Sequence, residues 1–356
     1  MEFEKKGTII VTGGAGYLGS VLVPLLLEAG YRVHVIDIFY FGKNSLEKHL
    51  SNPNLTITEL DVAHHENVPN LFKGVNAVVH LSGMSNDPSG DLDPNLTIQT
   101  NFLATMSLAR RAKAEGVKKF IFISSCSVYG ASGSNFLDEQ SQVGPVTLYA
   151  LSKLQCENEL LPLADSNFSV TTLRFATLFG YSSRMRFDLA VNVMAKRALQ
   201  GKSILLFGDG MQYRPFLHVK DASRAIMKVI AEDSSIVNKQ VFNVGNSKLN
   251  FMIKDLVPLI SSYFPNSRIE KVEENKDNRS YMVSFRKFEK ICDFNALYGI
   301  EDALKEIKEA FESGKLGDMD DMKYYNLEVM KKVLKEPLVE YSVATSPRWA
   351  IDYNGK

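Results

Sequence analysis

The stretch Thr8-Ile9-Ile10-Val11-Thr12-Gly13-Gly14-Ala15-Gly16-Tyr17-Leu18-Gly19 decides how this chain is read. A short β-branched run that meets glycines at 13, 16 and 19 has the pattern of a buried parallel strand turning tightly into a helix. Glycine permits the turn, lets backbone approach an anion closely, and packs helix against strand. The following helix, predicted over residues 17–29 and stopped by Gly30, offers unpaired N–H groups and the positive end of its dipole. Together these make a cradle for a pyrophosphate, with Gly13, Gly16, Tyr17 and Leu18 as candidate cofactor contacts. A plain glycine-rich turn between strand and helix is the competing structural reading.

Outward from this turn, strand-like and helix-like segments alternate. Strands are predicted at residues 32–36, 55–60, 77–81, 120–124 and 170–173, and helices at 95–115 and 149–161. This rhythm predicts an α/β protein with a doubly wound, Rossmann-type parallel sheet. After residue 180 it loosens into helices at 187–200, 219–231 and 252–263 and short strands at 204–207 and 240–244. Residues 270–279 read as a charged surface loop, and 301–313 and 319–335 as amphipathic helices. The expected division is a dinucleotide-binding domain over 1–180, a smaller interwoven α/β substrate lobe over 181–316, and a C-terminal helical extension over 317–356.

Asp37 ends the second strand about 20 residues after the glycine turn, where an acid binds a ribose 2′-hydroxyl and repels a 2′-phosphate. No arginine follows it, although Lys43 does, so the cofactor is read as NAD rather than NADP. The alternative for Asp37 is a strand-end turn residue.

With 356 residues, 41 basic and 41 acidic, the chain carries no formal net charge. That balance argues against nucleic acid as the main partner. A 45% apolar and 23% charged composition excludes wholesale disorder. Three cysteines without framework spacing, Cys126, Cys156 and Cys292, argue against a disulfide scaffold or zinc site and for a reducing compartment. No signal-like segment and no apolar run of membrane-spanning length is present, so a cytoplasmic protein without a membrane partner is expected. His64, His65 and His218 lack ligand spacing, and no metal is expected.

Tyr149 and Lys153 stand four apart on a predicted helix and share a face. An ammonium beside a phenol lowers its pKa and makes it a usable base. The same spacing also occurs on ordinary amphipathic helices. Here it follows Ser124-Ser125-Cys126-Ser127-Val128-Tyr129-Gly130, at the end of the fifth strand, where ligands of open parallel sheets bind.

To the glycine turn, Asp37 and Tyr149-x-x-x-Lys153 are added Asp61-Val62, His80-Leu81-Ser82-Gly83, Asn101 with Thr105, and Leu173-Arg174-Phe175. Arg214-Pro215-Phe216-Leu217-His218-Val219 with Asp221, and Asn243-Val244-Gly245, follow in order. On these marks the chain resembles the extended short-chain dehydrogenase/reductases of the NAD-dependent nucleotide-sugar epimerase/dehydratase family, over nearly all of residues 1–315. The resemblance implies that Tyr149 is the acid or base at a sugar hydroxyl. Lys153 would lower its pKa and bind the nicotinamide ribose, and Ser125 would align the substrate oxygen, with Ser127 the second choice. Asp61 and Val62 would meet adenine. Leu81, Ser82 and Gly83 would line the dinucleotide groove, with Asn101 shaping the elements beneath it. Arg214 and Arg279 resemble the arginines that grip a nucleotide-sugar diphosphate. A homodimer through helices 95–115 and 149–161 is the family expectation.

Two departures matter. Cys126-Ser127 stands where dehydratases carry an acidic pair, so elimination of water lacks its acid and base. Thr177 stands where many epimerases carry asparagine. The segment from Arg184 to Asn192 resembles a subgroup linked to bacterial surface-sugar pathways. Its two arginines, Arg184 and Arg186, and Asn192 read either as contacts to phosphate or a polar sugar or as part of a helix start with exposed arginines. These features favour epimerisation at C4 of a nucleotide-linked hexose or heptose. Net 4-oxidation or 4-keto reduction comes next, 4,6-dehydration after it, and a non-catalytic dinucleotide sensor last. No role is assigned to the segment beyond Gly317.

Overall fold

The computed structural model describes residues 6–131, 136–273 and 279–335. Its strands are β1 (Thr8–Thr12), β2 (Arg32–Asp37), β3 (Leu55–Glu59), β4 (Val75–His80), β5 (Lys119–Ser125), β6 (Phe136–Leu137) and β7 (Ser169–Phe175). They continue with β8 (Thr177–Phe179), β9 (Ile204–Phe207), β10 (Tyr213–His218), β11 (Gln240–Val244), β12 (Asn250–Met252), β13 (Ile269–Val272) and β14 (Met282–Val283). Seven form one parallel sheet in the order β11-β7-β5-β4-β1-β2-β3. The order reverses between β1 and β4, which opens a crevice beyond their carboxyl ends.

The central strands are apolar on both faces because both are covered. Ile9 and Val11 of β1 enter one core, with Leu22 and Leu26 of the helix Gly19–Glu28. Ile10 enters the other, with Leu108 of the helix Ala104–Ala114 and Leu160 of the helix Leu148–Leu160. Full burial of each such side chain contributes about 1.5–3 kcal/mol. Among the polar side chains buried in the sheet, His80 of β4 is held 2.8 Å from Thr12 Oγ1 and 2.8 Å from Thr105 Oγ1.

The second half is woven into the first. β11 returns to the main sheet beside β7, and β14 pairs with β6. The remaining strands form a β12-β10-β8 sheet and a β9–β13 pair, packed by the helices Ala190–Leu199, Ile253–Tyr263 and Ile300–Glu312.

Several expectations change. The helix predicted at 95–115 contains a π-turn at Ile98–Leu103, between Pro94–Thr97 and Ala104–Ala114. Asn101 sits in that widened turn and ties it to Met84, accepting its N–H at 2.7 Å and donating to its carbonyl at 3.2 Å. The expected loop at 270–279 begins as β13, because it finds β9 as a parallel partner. The helix expected at 319–335 covers only Asn326–Val333, preceded by the turn Met322–Tyr324 that Asp321 caps. Asp320, expected inside that helix, lies before it and pairs with Lys196 and, at 3.0 Å, with Lys202. Trp349 and the tail after Pro337 lie outside the described residues.

Candidate active site

The crevice widens into a cleft of about 950 Å³ between the sheet's carboxyl edge and the lobe. All the sequence candidates line it except Asn101, Cys126 and Asn192. Its floor at one end is the glycine turn. Gly13 has φ +70°, and a Cβ there would stand 2.8 Å from the Ser82 nitrogen. At Gly19 a Cβ would come within 2.5 Å of the Gly14 oxygen and 2.6 Å of the Gly13 oxygen. Backbone fills this ground, as close approach of a pyrophosphate requires.

Asp37 stands over the turn. Its carboxylate accepts the N–H of Ala15 at 2.9 Å and of Phe39 at 2.8 Å. Burial raises its pKa, and those N–H groups counter the rise. Lys43 is turned to Glu59 at 2.5 Å and lies over the Phe39 ring, so it is not a phosphate-binding group in the cleft. Asp61 caps the following turn through the Ala63 N–H at 2.9 Å and, with Val62, lines the same end. The donor set fits a dinucleotide whose ribose hydroxyls are free.

At the other end, β5 delivers Ser125 and the helix Leu148–Leu160 delivers Tyr149 and Lys153. Ser125 caps the turn Cys126–Tyr129 by accepting the Ser127 N–H at 3.1 Å, and its hydroxyl also bonds the Tyr149 phenol. Ser125 rather than Ser127 therefore touches Tyr149. The buried Ser127 hydroxyl has no hydrogen-bond partner among the described residues and lines the cleft.

The expected depression of the Tyr149 pKa by Lys153 is not a property of the chain alone. Burial, with the nearby Asp87 charge, pushes it up to about 12. The Lys153 ammonium donates to the Ile123 carbonyl at 2.9 Å and stands 5.9 Å from the phenol ring centroid. Burial pushes Lys153 itself down to about 8. Desolvation outweighs the lowering by Ser125, Arg186 and Arg279 because the phenol is removed from water.

Three candidates do not face the cleft. Cys126 is buried and its thiol bonds the Arg174 carbonyl at 3.3 Å, while burial pushes its pKa up. Asn192 is fully buried: it accepts the Gly180 N–H at 2.9 Å and donates to Tyr17 Oη at 3.2 Å and the Arg186 carbonyl at 3.0 Å. Its spacing on the helix face turns it under the loop. Asn101 acts from beneath, as described above.

Arg184 and Arg186 are buried rather than exposed. Arg186 lines the cleft and grips Asp188 with two bonds of 2.9 Å, and Asp188 also accepts Asn86 Nδ2 at 2.9 Å. Burial raises the Asp188 pKa, but Arg186 outweighs it and holds the carboxyl low. Arg214 lies over the Tyr281 ring and donates to the Tyr213 carbonyl at 2.7 Å. Arg279 pairs with Asp87, which also accepts the Thr147 hydroxyl. Thr177 opens β8 at the cleft wall.

The sequence reading missed Asp87, Phe41, Tyr281 and Asn326, all of which line the cleft. Asp87 follows β4 at the sheet's carboxyl edge and opens the short helix Asp87–Gly90, and that position was its only signal. The others come from segments without motif. Among the described residues no cluster suits a metal ion, and no helix is long and apolar enough to cross a membrane.

The chain is 30% identical to the UDP-glucose 4-epimerase of Bacillus subtilis over 261 residues, 67% of this chain and 76% of that one. It is 28% identical to the UDP-N-acetyl-alpha-D-glucosaminuronate decarboxylase of Bacillus cytotoxicus over 316 residues, 85% of this chain and 96% of that one. The structure of MoeE5 in complex with UDP-glucuronic acid and NAD superposes with a TM-score of 0.75 at 25% identity, over 86% of this chain and all of that one. The model of the NAD dependent epimerase/dehydratase family matches residues 9–245. With its parallel sheet, glycine cradle and Ser125–Tyr149–Lys153 grouping, the chain belongs to that family of short-chain dehydrogenase/reductase enzymes, which work with NAD.

Proposed function

We propose that the protein epimerises C4 of a nucleotide-linked hexose or heptose. The reading is carried by Tyr149, bonded to Ser125 and one helical turn from Lys153, in one cleft with the glycine cradle and Arg214 and Arg279. The names of the similar 4-epimerase and uronate decarboxylase support a nucleoside-diphosphate sugar as the substrate. NAD, when bound, supplies a cationic ring that accepts a hydride and returns it. The chain's own residues hold and move the proton. Tyr149 Oη takes it from the sugar 4-hydroxyl while the Ser125 hydroxyl aligns that oxygen. Lys153 Nζ stabilises the Tyr149 phenolate that accepts the proton, and Tyr149, then a neutral phenol, later gives the proton back. Arg214 and Arg279 hold the diphosphate while the keto sugar turns its other face.

Elimination of water is disfavoured by the same geometry. It needs a second acid–base pair, and the buried Cys126 thiol, bonded to a carbonyl, does not act as a base. The test is turnover of a panel of nucleotide sugars by the wild type and Tyr149→Phe, followed by absorbance of reduced nicotinamide and by sugar NMR. The reading expects 4-epimers without accumulated NADH, and a loss of at least about 100-fold in Tyr149→Phe with NAD still bound. Stoichiometric NADH would shift the assignment to net oxidation, and carbon dioxide from a uronic acid would shift it to decarboxylation. Near-normal turnover in Tyr149→Phe removes the assignment of the base.

The same proposal includes a homodimer. Ile98, Leu103 and Leu151 are exposed on the two helical segments expected to form its interface. The same proposal keeps the division at residues 180 and 316, with the glycine cradle and the Tyr149–Lys153 pair before residue 180 and Arg214 and Arg279 between residues 181 and 316.

A further inference from the structure

The reading above gives Arg184 no role. Its side chain is 94% removed from solvent (6% exposed), and its guanidinium carbon lies 3.8 Å from the Phe41 ring centroid. Nη2 donates to Asn326 Oδ1 at 2.6 Å, and Asn326 Nδ2 donates to Ser85 Oγ at 2.7 Å. The Arg184 backbone N–H meets Ser182 Oγ at 3.2 Å, and Ser182 Oγ donates to the Tyr17 carbonyl at 2.8 Å. A cation from the lobe is thereby anchored on the first turn after the glycine cradle. A residue of the C-terminal segment steadies it. Phe41, Ser85, Arg184 and Asn326 all line the cleft.

Two guanidinium nitrogens stay unmet. Nε is buried without a hydrogen-bond partner, and among the described residues Nη2 alone is bonded. No carboxylate of the described residues forms an ion pair with Arg184. Its neighbour Asp188 is held by Arg186, and Asp37 accepts backbone N–H groups instead. A buried guanidinium in that condition is costly unless an anion completes it. The glycine cradle, whose Tyr17 carbonyl holds Ser182 beside Arg184, opens into the same cleft, and a planar fork of donors suits a diphosphate.

We propose that Arg184 binds the pyrophosphate of the dinucleotide from the lobe side, held in place by Asn326, so that the segment 317–335 forms part of the cofactor site. Ser85, Asn326, Arg184 and Phe41 then form an arch over the glycine turn. The inference concerns the cofactor end alone and stands or falls independently of which sugar reaction is catalysed.

The test is calorimetric titration of cofactor-stripped protein with NAD, ADP, adenosine and UDP, for the wild type, Arg184→Gln, Arg184→Lys and Asn326→Ala. Loss of charge-assisted bonds predicts about 10- to 100-fold weaker NAD and ADP binding in Arg184→Gln. Adenosine and UDP should change by less than about twofold, and Asn326→Ala should weaken ADP by about 3- to 10-fold. Unchanged ADP affinity in Arg184→Gln overturns the assignment. An equal loss for adenosine and ADP also overturns it, because that marks a structural role. A loss confined to UDP overturns it in favour of the substrate's diphosphate. If Arg184→Gln does not fold, Arg184→Lys and Asn326→Ala decide, and NAD affinity within twofold of wild type in both refutes the proposal.

Discussion

Replacing Arg174 by leucine strands a carboxylate beneath the active-site helix. Arg174 Nε stands 3.0 Å from both oxygens of Glu157, Nη2 stands 2.6 Å from Oε2, and Nη1 donates to Tyr129 Oη at 2.9 Å. Ser124 Oγ gives Glu157 Oε1 one further bond of 2.5 Å. Glu157 is 1% and Arg174 5% exposed, so neither charge recovers hydration when its partner is lost. Removing one member of such a pair costs about 3–5 kcal/mol, because the other remains charged and unpaired. That is a large part of the roughly 5–15 kcal/mol that holds a typical domain together. Removing both charges, as in Glu157→Met with Arg174→Leu, costs far less, since the desolvation penalty disappears with the attraction. The two singles should each lose about 3–5 kcal/mol and the double about 1–2 kcal/mol, a cycle coupling of several kcal/mol. Urea unfolding of the four proteins at pH 7 measures it. An Arg174→Leu protein within about 1 kcal/mol of wild type, or a double variant that loses the sum of the singles, refutes the reasoning. Glu157 lies one turn beyond Lys153, and Ser124 adjoins Ser125. Turnover should therefore fall in Arg174→Leu even where the protein remains folded.

Two further outcomes are expected. Burial holds His34 down to about 4 and His80 down to about 3, so both are neutral in the fold, whereas the unfolded residues titrate near 6.5. The unfolded chain binds more protons at pH 5, so stability is full near pH 7 and falls by about 2 kcal/mol for each histidine at pH 5. His80→Asn should remove about half of that slope, and a thermal-unfolding profile flat from pH 7 to pH 5 would contradict it. Glutamate at both Ile98 and Leu103 should convert a homodimer to a monomer in light scattering. An unchanged mass, or a monomeric wild type at micromolar concentration, removes this interface.

Much of the fold was legible locally. The β-branched run before Gly13, the glycine spacing and the alternation of segments specify a parallel sheet, because strand and helix periods are properties of neighbouring residues. The break in the 95–115 helix was not, because the π-turn is set by Asn101 reaching Met84, seventeen residues away. β13 looked like a charged loop because its partner β9 lies far upstream and its own side chains are mostly exposed. Tyr149, Lys153 and Ser125 were readable as a chemical unit from spacing and position. The Tyr149 pKa was not, because desolvation depends on the walls around it. Asn192 looked like a contact by its motif, yet its side chain is used inside the loop.

By itself, the sequence determined a glycine turn between strand and helix, an acid at the end of the second strand and a tyrosine–lysine pair on one helix, since each needs only residues close in the chain. It also showed why zero net charge suits a protein that binds anions: backbone N–H groups and a few arginines supply the positive field locally. Only the tertiary structure decided which hydroxyl meets Tyr149, which arginines are already neutralised, and which remains unpaired. Arg184 shows the physical reason most clearly. The linear reading left open whether Arg184 meets a phosphate, a polar sugar or solvent. Folding buries it in the cleft from the lobe, stacks it on Phe41 and fixes it with Asn326, residues that no sequence spacing relates.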